Sequence, residues 1–313
     1  MLFWKGDALN FTKPALTIED QVALLQRRGL EGDATRVARR LRAVNYYRLS
    51  AYWHTFRDRA RADERFLPGT HIDVVWGRYI FDRALRVLVM DAIERFEIAT
   101  RSRLSCELAL LHGPFGYAQD SGALFPRDPM RRQEFIRHLK QDLDLQRREP
   151  FINHFHQKYG DAHPFPPVWV AVEVLRFGGT VSLFNGSADV VQRAVADTFQ
   201  VAPRVFKSWL LTLNLTRNVC AHHGRLWNRE LANKPLIPRR PEWVHPVQVG
   251  NGRIFGVLTI LAHTNHLIAP NSGWAARVRS LLAKHPDVPR AQMGFPEQWE
   301  RCPVWRRAWR EQD

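Results

Sequence analysis

The stretch from Pro203 to His223, PRVFKSWLLTLNLTRNVCAHH, decides how this chain is read. Phe206, Trp209, Leu210 and Leu213 recur at the three- and four-residue spacing of one helical stripe, which predicts a helix over 204–223 with one face built for burial. The next step along that stripe lands on Arg217. A guanidinium on an apolar line is costly unless an anion meets it, so Arg217 either closes an ion pair or is kept for a phosphate. Asn218, His222 and Arg225 stand at i, i+4 and i+7 and share a second face if the helix runs that far, with His223 about 100° around from His222. Gly224 offers the left-handed residue that ends helices, which sets the group near a terminus where side chains reach into a cleft.

Such a group suits cleavage of RNA without a metal. Imidazole ordinarily titrates near neutrality, so His222 can take the 2′-hydroxyl proton or protonate the leaving 5′-oxygen while Arg217 clamps the phosphate. Asn218 is the third member of the group, and His223 and Arg225 support it. The structural alternative is that Arg217 closes a buried salt bridge and His222 caps carbonyls, as basic residues at helix C-termini do.

The rest of the chain reads as helix almost throughout. Helices are predicted over 17–28, opened by Thr17 with Asp20 three positions on, and over 33–48. The charged run from Arg57 to Arg65 reads as a solvated linker before the break at Pro68-Gly69. A long helix follows over 74–111, with Ile80, Phe81, Leu85, Leu88, Val89, Ala92, Ile93, Phe96 and Ala99 as its apolar face. Further helices are expected over 130–148, over 168–177 with Gly178-Gly179 as the stop, over 188–199 and over 251–268. The tail from Pro286, rich in Pro, Trp and Arg, is expected to pack loosely on the outside. The domain boundaries follow: a helical N-terminal region over 1–69, a helical domain over 70–270 and a C-terminal extension over 271–313.

Two further polar groups stand where apolar residues are expected. Glu173 lies inside Trp169-Val170-Ala171-Val172-Glu173-Val174-Leu175 and needs a cation, for which Arg217 is the natural candidate and orienting it the natural role. Glu94, Glu97 and Arg101 form a polar line on the long helix, and the Glu97–Arg101 pair reads first as an ordinary surface ion pair.

Composition adds a partner class. A net charge of +15 and a pI near 10.5 point to a polyanion, RNA in this reading. Arginine dominates the 46 basic residues, lysine occurring only at 5, 13, 140, 158, 207, 234 and 284, and arginine's planar fork suits phosphates. Cys106, Cys220 and Cys302 are too few and scattered for a disulfide framework or a zinc site, which fits a cytoplasmic protein. Asn153-His154-Phe155-His156 has no further ligand at metal spacing, so no metal or other cofactor is expected, and a surface or nucleic-acid-facing role is preferred there. Met1–Asp7 lacks the apolar core of a leader, and no run approaches the ~18 apolar residues of a membrane span.

Arg217-Asn218-Val219-Cys220-Ala221-His222 resembles the R-x-x-x-x-H motif of HEPN ribonucleases, and the run from Leu215 to Asn228 resembles the signature of the abortive-infection (Abi) family of bacterial phage-defence proteins. Two earlier blocks are similar to the same family. One is Phe11-Thr12-Lys13-Pro14 with Ile18–Leu25, Arg28-Gly29-Leu30 and Asn45–Trp53, and the other is Pro167–Leu175 with Phe177-Gly178. The resemblance covers roughly 10–230 in the right order. It implies an all-α, HEPN-like helical bundle over 70–270 and a metal-independent endoribonuclease of phage defence, with His222 as acid or base and Arg217 as phosphate clamp. It also implies a homodimer in which two motifs meet around one cleft. The other readings are a protein that holds a small structured RNA without cutting it, and the toxin of a toxin–antitoxin pair.

Overall fold

The computed structural model describes residues 14–61, 63–119 and 122–310. Met1–Asp7 and Phe11-Thr12-Lys13, on which two of the readings above rest, lie outside the described residues. The fold is all-α: fourteen α-helices with short 3-10 turns, and no strand beyond isolated bridges, among the described residues. The chain divides into two compact units, Met1–Phe81 and Asp82–Asp313.

The first unit holds α1 (Ile18–Arg27), α2 (Ala34–Val44), α3 (Tyr46–Trp53) and the opening of α4 (Ile72–His112). The Thr17 hydroxyl accepts the Asp20 amide at 3.1 Å and caps α1 as its sequence predicts. The single helix expected over 33–48 is two, because Asn45 breaks it with a positive φ of 58° and an extended ψ of 159°, and its side chain then caps α3 by accepting the Arg48 amide at 2.8 Å. The supposed solvated linker is tied down: Glu64 bridges Arg28 at 2.6 Å and Arg57 at 3.0 Å. Leu25, Val37, Leu41, Leu49 and Trp53 form the core of this unit.

The second unit holds the remainder of α4, then α5 (Pro129–Leu145), α6 (Pro150–Tyr159), α7 (Val168–Val174), α8 (Phe177–Gly186) and α9 (Asp189–Thr198). α10 (Pro203–Ala221), α11 (Pro241–Val244), α12 (Ile254–Ile268), α13 (Trp274–Lys284) and α14 (Pro303–Arg310) complete it. Pro203 occupies the first turn of α10, where no backbone donor is lost. The apolar stripe of α10 drives Phe206 into a ring cluster with Phe96 of α4, Phe184 of α8 and Phe199, at centroid distances of 5.5, 5.1 and 4.9 Å. Phe177, at the start of α8, joins the cluster through Phe96 at 6.5 Å. One aromatic core therefore fixes the middle of α4, the start of α8 and the body of α10.

Two expectations fail here. Gly178-Gly179 does not stop a helix but lies in the first turn of α8: the chain breaks earlier, at the extended Leu175 and Arg176, and a Cβ on Gly179 would stand 2.9 Å from the Leu175 side chain. Nor is the tail loose. Trp299, Cys302, Val304 and Trp305 are buried, Trp305 donates to the Thr259 hydroxyl of α12 at 2.9 Å, and α14 packs on α12 as part of the second unit.

Candidate functional site

α10 ends as a hydrogen-bonded C-cap. The His223 amide donates to the Cys220 carbonyl at 3.0 Å and the Gly224 amide to the Val219 carbonyl at 2.7 Å, the paired bonds of a Schellman motif. The left-handed residue is His223, at φ 57°, and not Gly224 as the sequence predicts. Gly224 is required for a different reason: a Cβ there would stand 2.9 Å from Val219 Cγ1. Because the helix stops at Ala221, Arg225 leaves the face of Asn218 and His222; its guanidinium lies over the Trp227 ring at 5.9 Å.

A buried anchor holds this end in place. Asp82, fully buried on α4, accepts the Leu226 and Trp227 amides at 3.0 and 2.6 Å through one carboxylate oxygen. Its other oxygen pairs with Arg86 one turn on, and Arg86 also donates to the Gly224 carbonyl at 3.4 Å. Both charges are thereby matched in a dry setting where an unmatched one is costly. Cys220 lies beside this pair, and burial pushes its thiol up to about 12.

The exposed face of α10 carries Asn214, Asn218 and His222 at successive four-residue steps, with half-buried Arg217 beside them. All four line one cleft of about 740 Å³. To the same cleft α5 contributes Arg131, Glu134, His138 and Asp142, and the corner between α7 and α8 contributes Leu175, Arg176 and Gly178. That corner is built by its backbone: the Leu175 carbonyl accepts Arg101 of α4 at 2.6 Å, and the Val174 carbonyl accepts the Gln146 side chain at 3.0 Å. Asp142, almost fully buried, takes the Arg176 guanidinium through Nε at 2.8 Å and Nη2 at 2.6 Å.

The sequence names the α10 members of the site and misplaces their carboxylate. Glu173 is exposed on α7, so the expected buried pair with Arg217 does not form. The acid in whose field Arg217 lies is Glu97. Burial raises the Glu97 carboxyl above the usual range, while Arg101 and then Arg217 draw it back down. The Glu97–Arg101 pair is consequently no surface pair: both side chains are 14% exposed, and Arg101 spends a further donor on the α7–α8 corner. His223 is exposed and does not line the cleft. His154 is exposed on α6. Among the described residues no group of three His, Cys, Asp or Glu side chains is arranged to hold a metal ion, and no helix is long and apolar enough to cross a membrane.

An all-α chain with an arginine, an asparagine and a histidine brought to a cleft by one capped helix end defines the class. The model of the Abi-like protein family matches residues 39–228, which hold that helix end and both faces of the cleft, and the chain belongs to this family. Membership makes it a protein of abortive-infection phage defence. No curated protein and no solved structure matches it.

Proposed function

We propose that the protein is a HEPN-type endoribonuclease that acts in abortive infection by cutting RNA without a metal. The observation that carries the reading is that Arg217, Asn218 and His222 share one open cleft at the end of a helix whose opposite face, Phe206, Trp209, Leu210 and Leu213, is buried. In this reaction the RNA 2′-oxygen attacks the adjacent phosphorus as its proton is removed, and the P–O5′ bond breaks as the 5′-oxygen gains a proton. The products are a 2′,3′-cyclic phosphate and a 5′-hydroxyl. His222 serves one proton transfer, Arg217 binds the phosphate oxygens whose charge grows, and Asn218 supplies a neutral donor beside them. Arg131 and Arg176 line the same cleft, each beside an aspartate partner, Asp128 and Asp142, and offer their remaining guanidinium donors to the flanking backbone.

A homodimer belongs to the same reading. Leu211 and Leu215, on the α10 face that continues into Asn218 and His222, are both about two-fifths exposed, a surface that a second copy would cover.

The test is to incubate the protein with end-labelled single-stranded RNA in EDTA. The expected result is fragments ending in cyclic phosphate, formed less efficiently as added salt weakens binding. RNA that is bound but stays intact would sink the nuclease reading in favour of a binding protein.

A further inference from the structure

Gly178, Ser182 and Asn185 fall at i, i+4 and i+7 on α8, and all three line the cleft, so one face of this helix runs along it. Two contacts give that face a direction. A Cβ on Gly178 would stand 3.8 Å from the Asn214 side-chain nitrogen of α10, and the Phe184 ring lies 5.1 Å from Phe206, near the start of α10. The two helices therefore run antiparallel, and Asn185 lies about 10 Å along α8 from Gly178, on the side away from Asn218 and His222. We infer that this end of the cleft is a base-reading subsite, in which the Phe125 ring stacks on a nucleobase and the Asn185 amide hydrogen-bonds its edge, adenine being the base that fits. The subsite rests on the nuclease reading above for its ligand, a single strand of RNA, and adds what selects the sequence at a distance from the cut. It is complete within one copy and so stands equally with a cleft shared by two.

Phe125 is held beside Asn185 at a backbone cost. Its φ of 50° lies in the left-handed region, which a bulky side chain disfavours. It is pinned there by its own amide, which donates to the Gly186 carbonyl at 2.8 Å, and by the Asp128 amide, which donates to the Phe125 carbonyl at 2.9 Å. The ring lies against Gly186, where a Cβ would stand 2.5 Å from it, and its centroid is 6.3 Å from that of buried Phe135 of α5. It is only half-buried and lines the cleft, so part of it is left for a ligand. The side chains of Ser182 and Asn185 bond to no described residue. Asn185 Oδ1 is buried and meets no donor, so turning it toward a ligand breaks no existing bond. A neutral amide left unmatched is suited to a base edge, whereas cations such as Arg217 hold phosphates. An asparagine amide spans a donor and an acceptor that stand side by side. Adenine offers that pair on two edges, N6 with N7 and N6 with N1, and its two fused rings give a large face for stacking.

The experiment measures fluorescence anisotropy of fluorescein-labelled 2′-O-methyl strands of adenosine, cytidine and uridine, which cannot be cut, with wild type, Asn185→Ala and Phe125→Leu. Wild type should bind the adenosine strand about 10-fold or more tighter than either pyrimidine strand. Asn185→Ala should bring the three affinities together while its melting temperature stays in place. Phe125→Leu keeps an apolar contact with Phe135 but has no ring to stack, and should weaken all three strands by about 5-fold or more. Equal wild-type affinities, a preference for a pyrimidine, a preference that survives Asn185→Ala, or wild-type affinity in Phe125→Leu overturns the inference. Cutting of ordinary RNA in EDTA is read separately. An adenosine preference in a protein that does not cut removes the nuclease reading and leaves the subsite, cutting without a base preference does the reverse, and binding to none of the strands removes both.

Discussion

The first half of α10 sends Phe206, Trp209, Leu210 and Leu213 into a core where none is exposed, whereas its last turns carry Asn214, Arg217, Asn218 and His222 to the wall of a cleft. The helix is the same element throughout, and what changes is what it is packed against. The early turns meet Phe96, Phe184 and Phe199, and Trp209 stands 5.7 Å from Trp243. The last turn is held by buried Cys220 and by the backbone of the loop that Asp82 grips. Side-chain burial holds the first half, and for the second the buried Thr216, Cys220, Leu226 and Trp227 are joined by hydrogen bonds to the following loop, which leaves Asn218 and His222 turned to the cleft. Two histidines mark the contrast: His263 is buried between Trp209 and Trp243 and donates to the Phe199 carbonyl at 2.9 Å, while His222 is exposed.

The sharpest way to break this division is Asp82→Ala. It strands the buried Arg86 and two amides, and should cost about 3–5 kcal/mol, read as a lower melting temperature and denaturant midpoint. A stable Asp82→Ala protein would show that the loop is held by something else. His222→Ala should do the reverse, lowering RNA cleavage about 10²- to 10⁴-fold while the melting curve stays in place. Equal loss of both would make His222 a structural residue.

The buried histidine gives a pH test. Burial holds the His263 imidazole down at about 4, against 6.5 for the ordinary side chain. The unfolded chain therefore takes up this proton below pH 6.5, and the folded chain only near pH 4. The stability that follows from keeping the ring neutral is complete above 6.5 and is lost as the pH falls toward 4, a change of about 3 kcal/mol. Melting temperatures should fall across that window, and His263→Gln should flatten the slope. The smallest effect is expected from Glu173→Ala, within about 0.5 kcal/mol and without change in activity, since this acid is exposed. Glu97→Gln, which loosens both Arg101 and Arg217, should lower activity; the opposite pattern would return Glu173 to the site.

Much of this was legible in spacing. The long apolar run of α4 and the stripe of α10 announced their helices; R-x-x-x-x-H announced Arg217 and His222, and the i,i+4 spacing to His222 added Asn218, three of the four cleft residues of this helix end. The anchor was hidden because Asp82 and Arg86 sit inside the face made by Phe81, Leu85 and Val89, where the eye follows the apolar residues; the signal was an opposite-charge i,i+4 pair within that face. Glu173 misled for the converse reason. A carboxylate among valines suggests burial, but α7 is only seven residues long and turns that side outward beside the exposed Trp169. The tail misled through its composition: Trp299, Cys302 and Trp305 repeat at helical spacing, but over a stretch too short for periodicity to outweigh its prolines. Arg176 and Asp142, thirty-four positions apart, pair only through the fold.

Helix ends ordinarily open and close many times before a protein unfolds, and a histidine at such an end would spend part of its time out of register. Here the last turn of α10 cannot open far without pulling Leu226 and Trp227 from a carboxylate buried in another helix. The two amides should accordingly exchange their hydrogens with solvent at the slow rate of the core and not at the fast rate of a terminus. The protein would then keep an exposed working histidine on the slow clock of its core.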